Sequence, residues 1–222
     1  MLTYEIEIKS LLGSEENALK LKEKIKSRGG VLSGGSKQLN HYFVLHDQSK
    51  LKDKLTSYIA KEKKDLFNKI VDEGRNLSVR TRDADGKVIL VFKASIGDDS
   101  SSNGVSRMEF ESVMDMTLDK LDQILLDAGL EYQAKWSRER EEYSINDVNI
   151  CIDRNAGYGY LAEFEKICFD FGEQDKIKDE LHTLMKEFEV KELMQDRLEK
   201  MFDFYNKNWR DYYGTTKVFN IK

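Results

Sequence analysis

The strongest constraint on the fold of this chain is an alternation of apolar and charged residues close to its start. Ile6 and Ile8 alternate with Glu5, Glu7 and Lys9. Because successive side chains of a β-strand point to opposite faces, this period of two predicts a strand with one apolar and one ionic face. An ionic face on a single strand usually points to solvent. Whether this face lies inside the fold depends on whether other strands carry a similar ionic face.

Six later segments repeat the pattern with charges of both signs. Residues two apart on a strand point the same way, so each set projects from one side of a sheet. In chain order the sets are Arg80 with Arg82, then Lys93, then Arg107 with Glu109 and Glu111, then Arg138 with Arg140, then Asp153, and finally Glu163 with Glu165. We therefore interpret the ionic faces as one ordered surface inside the fold.

The predicted strands are mostly joined by hairpins. Asp85-Gly86 and Asn146-Asp147 are turn signals between neighbouring strands, which indicates an antiparallel sheet. About eight strands are predicted, and that number closes into a small barrel with room for one ligand. The predicted fold class is α+β: a closed, eight-stranded, mainly antiparallel β-barrel with flanking helices and a helical C-terminus. One domain is expected over residues 1–222, with the barrel in about 1–170 and a helical segment in about 173–222.

Helical segments follow from capping residues and a 3.6-residue period. Residues 50–73 are predicted to form one long or two short helices, and residues 97–104 a polar loop. Residues 173–208 are predicted to be helical, with an irregular tail after them. Leu198 and Phe202 in this segment are interpreted as core residues.

Composition restricts the functional class. Charged residues make up 35% of the chain and the formal net charge is -5, so the sequence lacks the basic footprint of a DNA-binding protein. No apolar run approaches the roughly 20 residues of a membrane helix, and the first residues lack the segments of a signal peptide. The two cysteines, Cys151 and Cys168, suit a reducing compartment. We expect a cytoplasmic protein that binds neither DNA nor membrane, with a homodimer as one open option.

An interior with charges of both signs suits a polyanion that binds together with a metal ion. Arg offers phosphate a planar fork of donors, and Lys offers a compact charge. Carboxylates alone would repel phosphate, but they are the ligands that Mg²⁺ and Mn²⁺ prefer. The sequence therefore predicts a basic phosphate cradle beside a site for Mg²⁺ or Mn²⁺.

The segment Glu5-Ile6-Glu7-Ile8-Lys9 resembles the Glu-x-Glu-x-Lys signature of the CYTH superfamily, the triphosphate tunnel metalloenzymes. Later segments are similar to further motifs of that family and follow in the same order: Leu77-Ser78-Val79-Arg80, Leu90-Val91-Phe92-Lys93, Arg107-Met108-Glu109-Phe110-Glu111, Arg138-Glu139-Arg140, Ile152-Asp153 and Gly159-Tyr160-Leu161-Ala162-Glu163-Phe164-Glu165. Ser78 departs from the family pattern, which usually has Arg there. Arg82 is a candidate replacement for the missing charge.

The resemblance implies an enzyme that acts on a small-molecule triphosphate or nucleotide. Our first hypothesis is a metal-dependent phosphohydrolase for inorganic triphosphate or a nucleoside or thiamine triphosphate. The second is a class IV type adenylyl cyclase that converts ATP to cyclic AMP and pyrophosphate. The third is a non-catalytic protein that binds nucleotide or polyphosphate. The motifs alone do not separate hydrolysis from cyclisation.

The resemblance also implies a role for each ionic residue. Glu5, Glu7 and Lys9 are expected to be catalytic, with Lys9 neutralising charge on the phosphoryl group under attack. Phosphate binding is expected from Arg80, Arg82, Lys93, Arg107, Arg138 and Arg140. The expected ligands of Mg²⁺ or Mn²⁺ are Glu5, Glu7, Glu109, Glu111, Asp153, Glu163 and Glu165.

Overall fold

Eight strands and six helices occur within residues 4–47, 49–95 and 106–220, the part of the chain that a computed structural model describes. The strands are β1 (Tyr4–Gly13), β2 (Val31–Val44), β3 (Arg75–Ala84), β4 (Lys87–Ser95), β5 (Ser106–Val113), β6 (Glu131–Ile145), β7 (Val148–Asn155) and β8 (Gly159–Cys168). The helices are α1 (Glu15–Ser27), α2 (Ser49–Leu55), α3 (Lys64–Glu73), α4 (Leu118–Asp127), α5 (Gln174–Glu187) and α6 (Gln195–Tyr212). The loop predicted at residues 97–104 lies outside the described residues.

The eight strands pair antiparallel and close into one barrel in the order β1-β5-β4-β3-β2-β6-β7-β8. Asp85 and Gly86 join β3 to β4, and both have the positive φ (51° and 86°) that a two-residue hairpin turn of this type requires. Closure comes from β1, which pairs with β8 along its length and with β5 at its start. The predicted α+β barrel is confirmed.

The barrel carries apolar side chains on the outside, beneath the helices, and charged side chains inside. Ile6 and Ile8 are at most 1% exposed and belong to a hydrophobic cluster that includes residues of α1 and α5. Phe92 and Phe110 pack outside another part of the wall, against Phe67 of α3. Helices therefore cover one face of the strands, and the tunnel takes the other. This arrangement explains the alternation of apolar and ionic residues.

Residues 50–73 form two helices, α2 and α3, separated by a short 3-10 turn at Lys61–Lys63. Phe67 of α3 is fully buried, and its ring centroid lies 5.6 Å from those of both Phe92 and Phe110. The segment therefore adds core to the outside of the barrel. None of its described side chains lines the tunnel cavity.

The C-terminal helices separate at residues 188–194, where Glu189 has a left-handed φ of 58°. Helix α6 then crosses one end of the barrel, where Tyr205 stacks on Trp136 of β6 with ring centroids 3.6 Å apart. It ends at Tyr212, so the first residues of the predicted irregular tail are helical. None of the described helices is both long and apolar enough to cross a membrane.

Candidate active site

The barrel encloses a cavity of about 610 Å³ that is lined largely by ionic side chains. Its glutamates are Glu5, Glu7, Glu109, Glu111, Glu142, Glu163, Glu165 and Glu199. Its cations are Lys9, Arg80, Arg82, Lys93, Arg138 and Arg140. Among the described residues, glutamates thus outnumber cations by eight to six. A triphosphate alone would meet an excess of negative charge, which a divalent cation bound beside it would offset.

Three carboxylates form a cluster in this cavity. β1 and β8 pair so that Glu7 lies opposite Glu165, and Glu5 is two residues away on the same face of β1. Oxygen atoms of Glu5, Glu7 and Glu165 lie within 4.8 Å of one another. Burial, followed by the nearby Glu163 and Glu5, raises the pKa of Glu165 to about 8, and burial also raises the pKa of Glu5. Three hard oxygen donors that repel one another fit a divalent cation, because its charge would remove the repulsion.

Lys9 connects this cluster to a fourth carboxylate. Its Nζ lies 2.6 Å from Glu7 Oε1 and 3.4 Å from Glu163 Oε1. Burial acts to raise the pKa of both glutamates, but Lys9 and neighbouring cations outweigh it. The pKa of Glu7 falls to about 2, and that of Glu163 lies well below its usual range. Both glutamates are therefore ionised at neutral pH, with the Lys9 ammonium held between them.

Asp153 holds two arginines in place. Arg140 donates from Nε to Asp153 Oδ1 at 2.8 Å and from Nη2 to Oδ2 at 2.7 Å, and Arg138 donates from Nη1 to Oδ2 at 2.8 Å. Arg138 Nε also donates to Gln38 Oε1 at 2.7 Å, and Arg140 also pairs with Glu163. Asp153 is 1% exposed and does not line the cavity. Arg138 and Arg140 thus occupy both carboxylate oxygens of Asp153. This geometry favours a role for Asp153 in positioning the two guanidinium groups over the predicted role as a metal ligand.

A second pair of arginines lies on β3. Arg80 Nη1 donates to the Tyr42 hydroxyl at 2.9 Å, and Arg82 Nε donates to Asn40 Oδ1 at 3.0 Å. Burial acts to raise the pKa of Tyr42, but Arg80, Arg138 and Arg82 outweigh it and lower that pKa. Within the described residues, the buried Nε of Arg80 has no hydrogen-bond partner. An anionic ligand would offset the repulsion among these arginines and could accept a hydrogen bond from Arg80 Nε.

Lys93, Glu109 and Glu111 complete the ion pairs of the cavity. Lys93 Nζ pairs with Glu5 and lies 3.3 Å from Glu109 Oε1. Glu111 Oε1 accepts a hydrogen bond from Arg82 Nη1 at 3.2 Å. Neither Glu109 nor Glu111 belongs to the three-carboxylate cluster. The structure thus brings only some of the predicted metal ligands together.

Apart from Asp153, every predicted site residue whose side chain is described lines the cavity. Arg107 lies in β5 opposite Glu5, but its side chain is outside the described part of the chain. The cavity is also lined by residues that sequence reasoning did not assign to the site: Tyr42, Asn76, Ser78, Gln133, Glu142, Asn149, Gln195, Leu198, Glu199 and Phe202. The last four lie on one face of α6, as their helical spacing predicts. That spacing identifies the shared face but does not show that the face lines the cavity.

The described residues of this closed antiparallel barrel enclose a tunnel whose lining carries charges of both signs, a chemistry that suits a charged ligand. The family model of the CYTH domain matches residues 67–197, more than half of the chain. The chain belongs to the CYTH domain family.

Individual relatives match this chain at low sequence identity. A candidate adenylate cyclase of Methanocaldococcus jannaschii is 28% identical over 113 residues, which cover 51% of this chain and 62% of that protein. The solved structure of a candidate adenylate cyclase of Vibrio parahaemolyticus has a TM-score of 0.62 at 14% identity, covering 90% of this chain and 98% of that one. A candidate adenylyl cyclase of Hippeastrum, described as having a dominant triphosphatase activity, has a TM-score of 0.51 at 18% identity, covering 86% of this chain and 90% of that one. The two solved structures establish the shared fold.

Proposed function

We propose that this protein is a metal-dependent phosphohydrolase that acts on a triphosphate bound in the barrel cavity. The observation that carries the proposal is a three-carboxylate cluster in the same cavity as the side chains of six described cations. The carboxylates suit a hard divalent cation, and the cations suit the oxygens of a polyphosphate. Membership of the CYTH family supports this substrate class, as does the triphosphatase activity of the Hippeastrum protein.

The phosphate chain would be bound by basic residues that are already in position. Asp153 and Gln38 fix the guanidinium groups of Arg138 and Arg140, and Tyr42 contacts that of Arg80. Groups held in place before binding lose little conformational entropy when the ligand arrives. The proposed phosphate-binding set is Arg80, Arg82, Lys93, Arg107, Arg138 and Arg140, with Arg107 included on its motif.

Glu5, Glu7 and Glu165 would hold the metal, Mg²⁺ or Mn²⁺. When bound, the ion supplies Lewis-acid stabilisation of negative charge on the phosphoryl oxygens. We propose a different role, the orientation of neighbouring cations, for the other predicted ligands, which are Glu109, Glu111, Asp153 and Glu163.

Catalysis by this chain would consist of positioning and charge stabilisation, as phosphoryl transfer generally requires. Water would attack the terminal phosphorus to form orthophosphate and release a proton to solvent, while the bond to the bridging oxygen breaks and that oxygen leaves with the electron pair on diphosphate or its ester. Lys9 would neutralise charge on the attacked phosphoryl group, since its ammonium already lies between Glu7 and Glu163 inside the cavity. The arginines would stabilise the charge that develops on the leaving group.

The test is to incubate the purified protein with tripolyphosphate or ATP, in Mg²⁺ and then Mn²⁺, and to follow products by ³¹P NMR. We expect orthophosphate from at least one substrate, and a rate at least about 100-fold lower for Glu5→Gln. The matched control is Glu23→Gln, the same change at an exposed position on α1, which should keep full activity. Full activity in Glu5→Gln, or no turnover by the unaltered protein with either metal, would refute the proposal.

Cyclisation of ATP is a second candidate function, because the relative from M. jannaschii is named as a candidate adenylate cyclase. In that reaction the ribose 3′-hydroxyl attacks the α-phosphorus and pyrophosphate leaves. The same spectra separate the two functions, because cyclisation gives cyclic AMP with pyrophosphate and no orthophosphate.

A further inference from the structure

The cavity changes in chemical character towards one end of the barrel. Tyr42 lies near the end of β2, Asn76 and Ser78 near the start of β3, and Gln133 near the start of β6. β2 pairs antiparallel with both β3 and β6, so these four residues lie at the same end. All four are uncharged and line the cavity. The cluster of Glu5, Glu7 and Glu165 belongs to other strands, β1 and β8.

Helix α6 covers this end and adds one face to the cavity lining. That face consists of Gln195, Leu198, Glu199 and Phe202. Of the eight residues contributed by the strand ends and by α6, only Glu199 carries a charge. This part of the cavity, here called the α6 end, therefore offers amide, hydroxyl, aliphatic and aromatic groups where the rest offers ion pairs.

Two of the lining residues form an aromatic wall that is braced from behind. The Trp136 ring centroid lies 6.3 Å from that of Tyr42 and 6.3 Å from that of Phe202. Trp136 in turn stacks on the fully buried Tyr205 at 3.6 Å. Tyr42 is also held by its hydrogen bond from Arg80. The aromatic surfaces at the α6 end are thus fixed without a ligand.

Two backbone irregularities place amides at the same end. The β3–β4 register shifts between Arg75 and Ser78, and Asn76 in that shift has a left-handed φ of 50°. The β2–β6 register shifts opposite Gln133, which has no partner in that ladder. Bulges re-aim side chains, and a non-glycine residue with positive φ in a strand is unfavourable unless its surroundings retain it. Both irregularities bring an amide side chain into the cavity lining.

We propose that the α6 end binds the heterocyclic base of a nucleoside triphosphate, so that the substrate is a nucleotide rather than inorganic triphosphate. This inference rests on the proposed function, which places the phosphates among the ion pairs. Aromatic side chains stack on any base, and amides can donate to and accept from a base edge. Inorganic triphosphate has no group that would use the aromatic wall or the neutral amides.

The test compares two inert probes by isothermal titration calorimetry in Mg²⁺. One is tripolyphosphate and the other ATP, each with methylene groups in place of both bridging oxygens of its phosphate chain, so that neither can be hydrolysed or cyclised. The unaltered protein should bind the ATP analogue at least about tenfold more tightly than the inorganic one. Phe202→Ala should weaken binding of the ATP analogue by about fivefold or more and leave that of the inorganic analogue within about twofold.

Two further variants keep the test informative. Phe204→Ala makes the same change on α6, at a ring that contacts Tyr212 and Phe219 and does not line the cavity, and should alter neither affinity. Gln133→Ala leaves the aromatic packing intact and should weaken binding of the ATP analogue alone. If Phe202→Ala does not fold, this variant tests the base site in its place.

The outcomes separate this inference from the proposed function. Equal affinities of the unaltered protein for the two analogues, or equal losses in Phe202→Ala, would refute the base site and leave the phosphate site standing. If neither analogue bound, the proposed function would fail and this inference with it.

Discussion

Replacing Glu165 by Gln should stabilise the ligand-free protein at alkaline pH while removing one proposed metal ligand. The Glu165 side chain is only 12% exposed and lies in the cluster with Glu5 and Glu7. Gln has the same shape without the charge, so Glu165→Gln removes the repulsion and keeps the packing. The Gln carbonyl can also accept the bond that Asn149 Nδ2 donates to Glu165 Oε2 at 3.0 Å.

The magnitude follows from the pKa of Glu165, which is raised from 4.5 to about 8, chiefly by burial and then by Glu163 and Glu5. At low pH the carboxyl group is protonated in both states and does not lower stability. As pH rises from 4.5 to about 8, Glu165 ionises in the unfolded chain before it ionises in the folded protein. The folded protein therefore loses up to roughly 5 kcal/mol of stability. Allowing for local relaxation, we expect the free energy of unfolding of Glu165→Gln at pH 9 to exceed that of the unaltered protein by about 3 kcal/mol. This difference corresponds to a Tm higher by roughly 6–12 °C.

The assay is thermal unfolding in EDTA at about pH 5, 7 and 9. The advantage of Glu165→Gln should grow with pH, and excess Mg²⁺ should reduce or reverse it, because the ion stabilises only the protein that binds it well. Glu142→Gln is the matched control, since Glu142 lines the cavity outside the cluster and should show no such gain. A Glu165→Gln protein no more stable than the original at pH 9, or a gain independent of pH, would refute the electrostatic reasoning.

Other predictions address positioning, coupling and the C-terminal segment. Asp153→Asn should lower stability by about 2–4 kcal/mol and raise the KM for a triphosphate, because Arg138 and Arg140 lose the carboxylate that fixes them; unfolding and steady-state kinetics check this. The inert tripolyphosphate analogue should bind at least about tenfold more tightly in Mg²⁺ than in EDTA, by calorimetry. Tyr213→Phe should cost about 1–2 kcal/mol by leaving His41 Nε2, 2.8 Å from that hydroxyl, without its partner. It should speed proteolysis after α6 without changing affinity for the analogue, whereas unchanged proteolysis would argue against a role for this contact in holding the segment.

The ionic interior could be predicted from the sequence because strand geometry is simple. Side chains two apart share a face, so Glu5, Glu7 and Lys9 had to point the same way. Hairpin turns then indicated an antiparallel sheet, and the number of strands suggested closure. The pairing of β1 with β8 that sets Glu7 opposite Glu165 appears only in the structure.

The partners inside the tunnel could not be predicted, because alternation says which face a side chain takes and not what it meets. Asp153 carries the same charge as the clustered glutamates, yet it lies beneath Arg138 and Arg140 instead of lining the cavity. Leu198 and Phe202 were interpreted as core residues from their helical spacing. Leu198 does pack against a hydrophobic core cluster. The face of α6 that carries both residues also lines the cavity, which their helical spacing did not reveal.

Long-range polar contacts were equally hidden from local patterns. His41 Nδ1 lies 2.6 Å from Asp122 Oδ2, and the same carboxylate accepts hydrogen bonds from Thr81 and Tyr132. These residues come from β2, α4, β3 and β6, which only the closed barrel brings together. No spacing in the sequence marks such a set, since its members belong to four different elements and share no motif.

The ion pairs of the ligand-free cavity imply that metal and triphosphate help each other to bind. Two pairs join a cation proposed to contact phosphate with a carboxylate proposed to bind the metal: Lys93–Glu5 and Lys9–Glu7. A triphosphate that takes the cation releases the carboxylate, and a divalent ion that takes the carboxylate releases the cation. Each ligand thus removes a competitor of the other, and thermodynamic linkage makes this coupling reciprocal. A cavity whose described lining has eight glutamates and six cations should therefore select the metal complex of a triphosphate over the free polyanion.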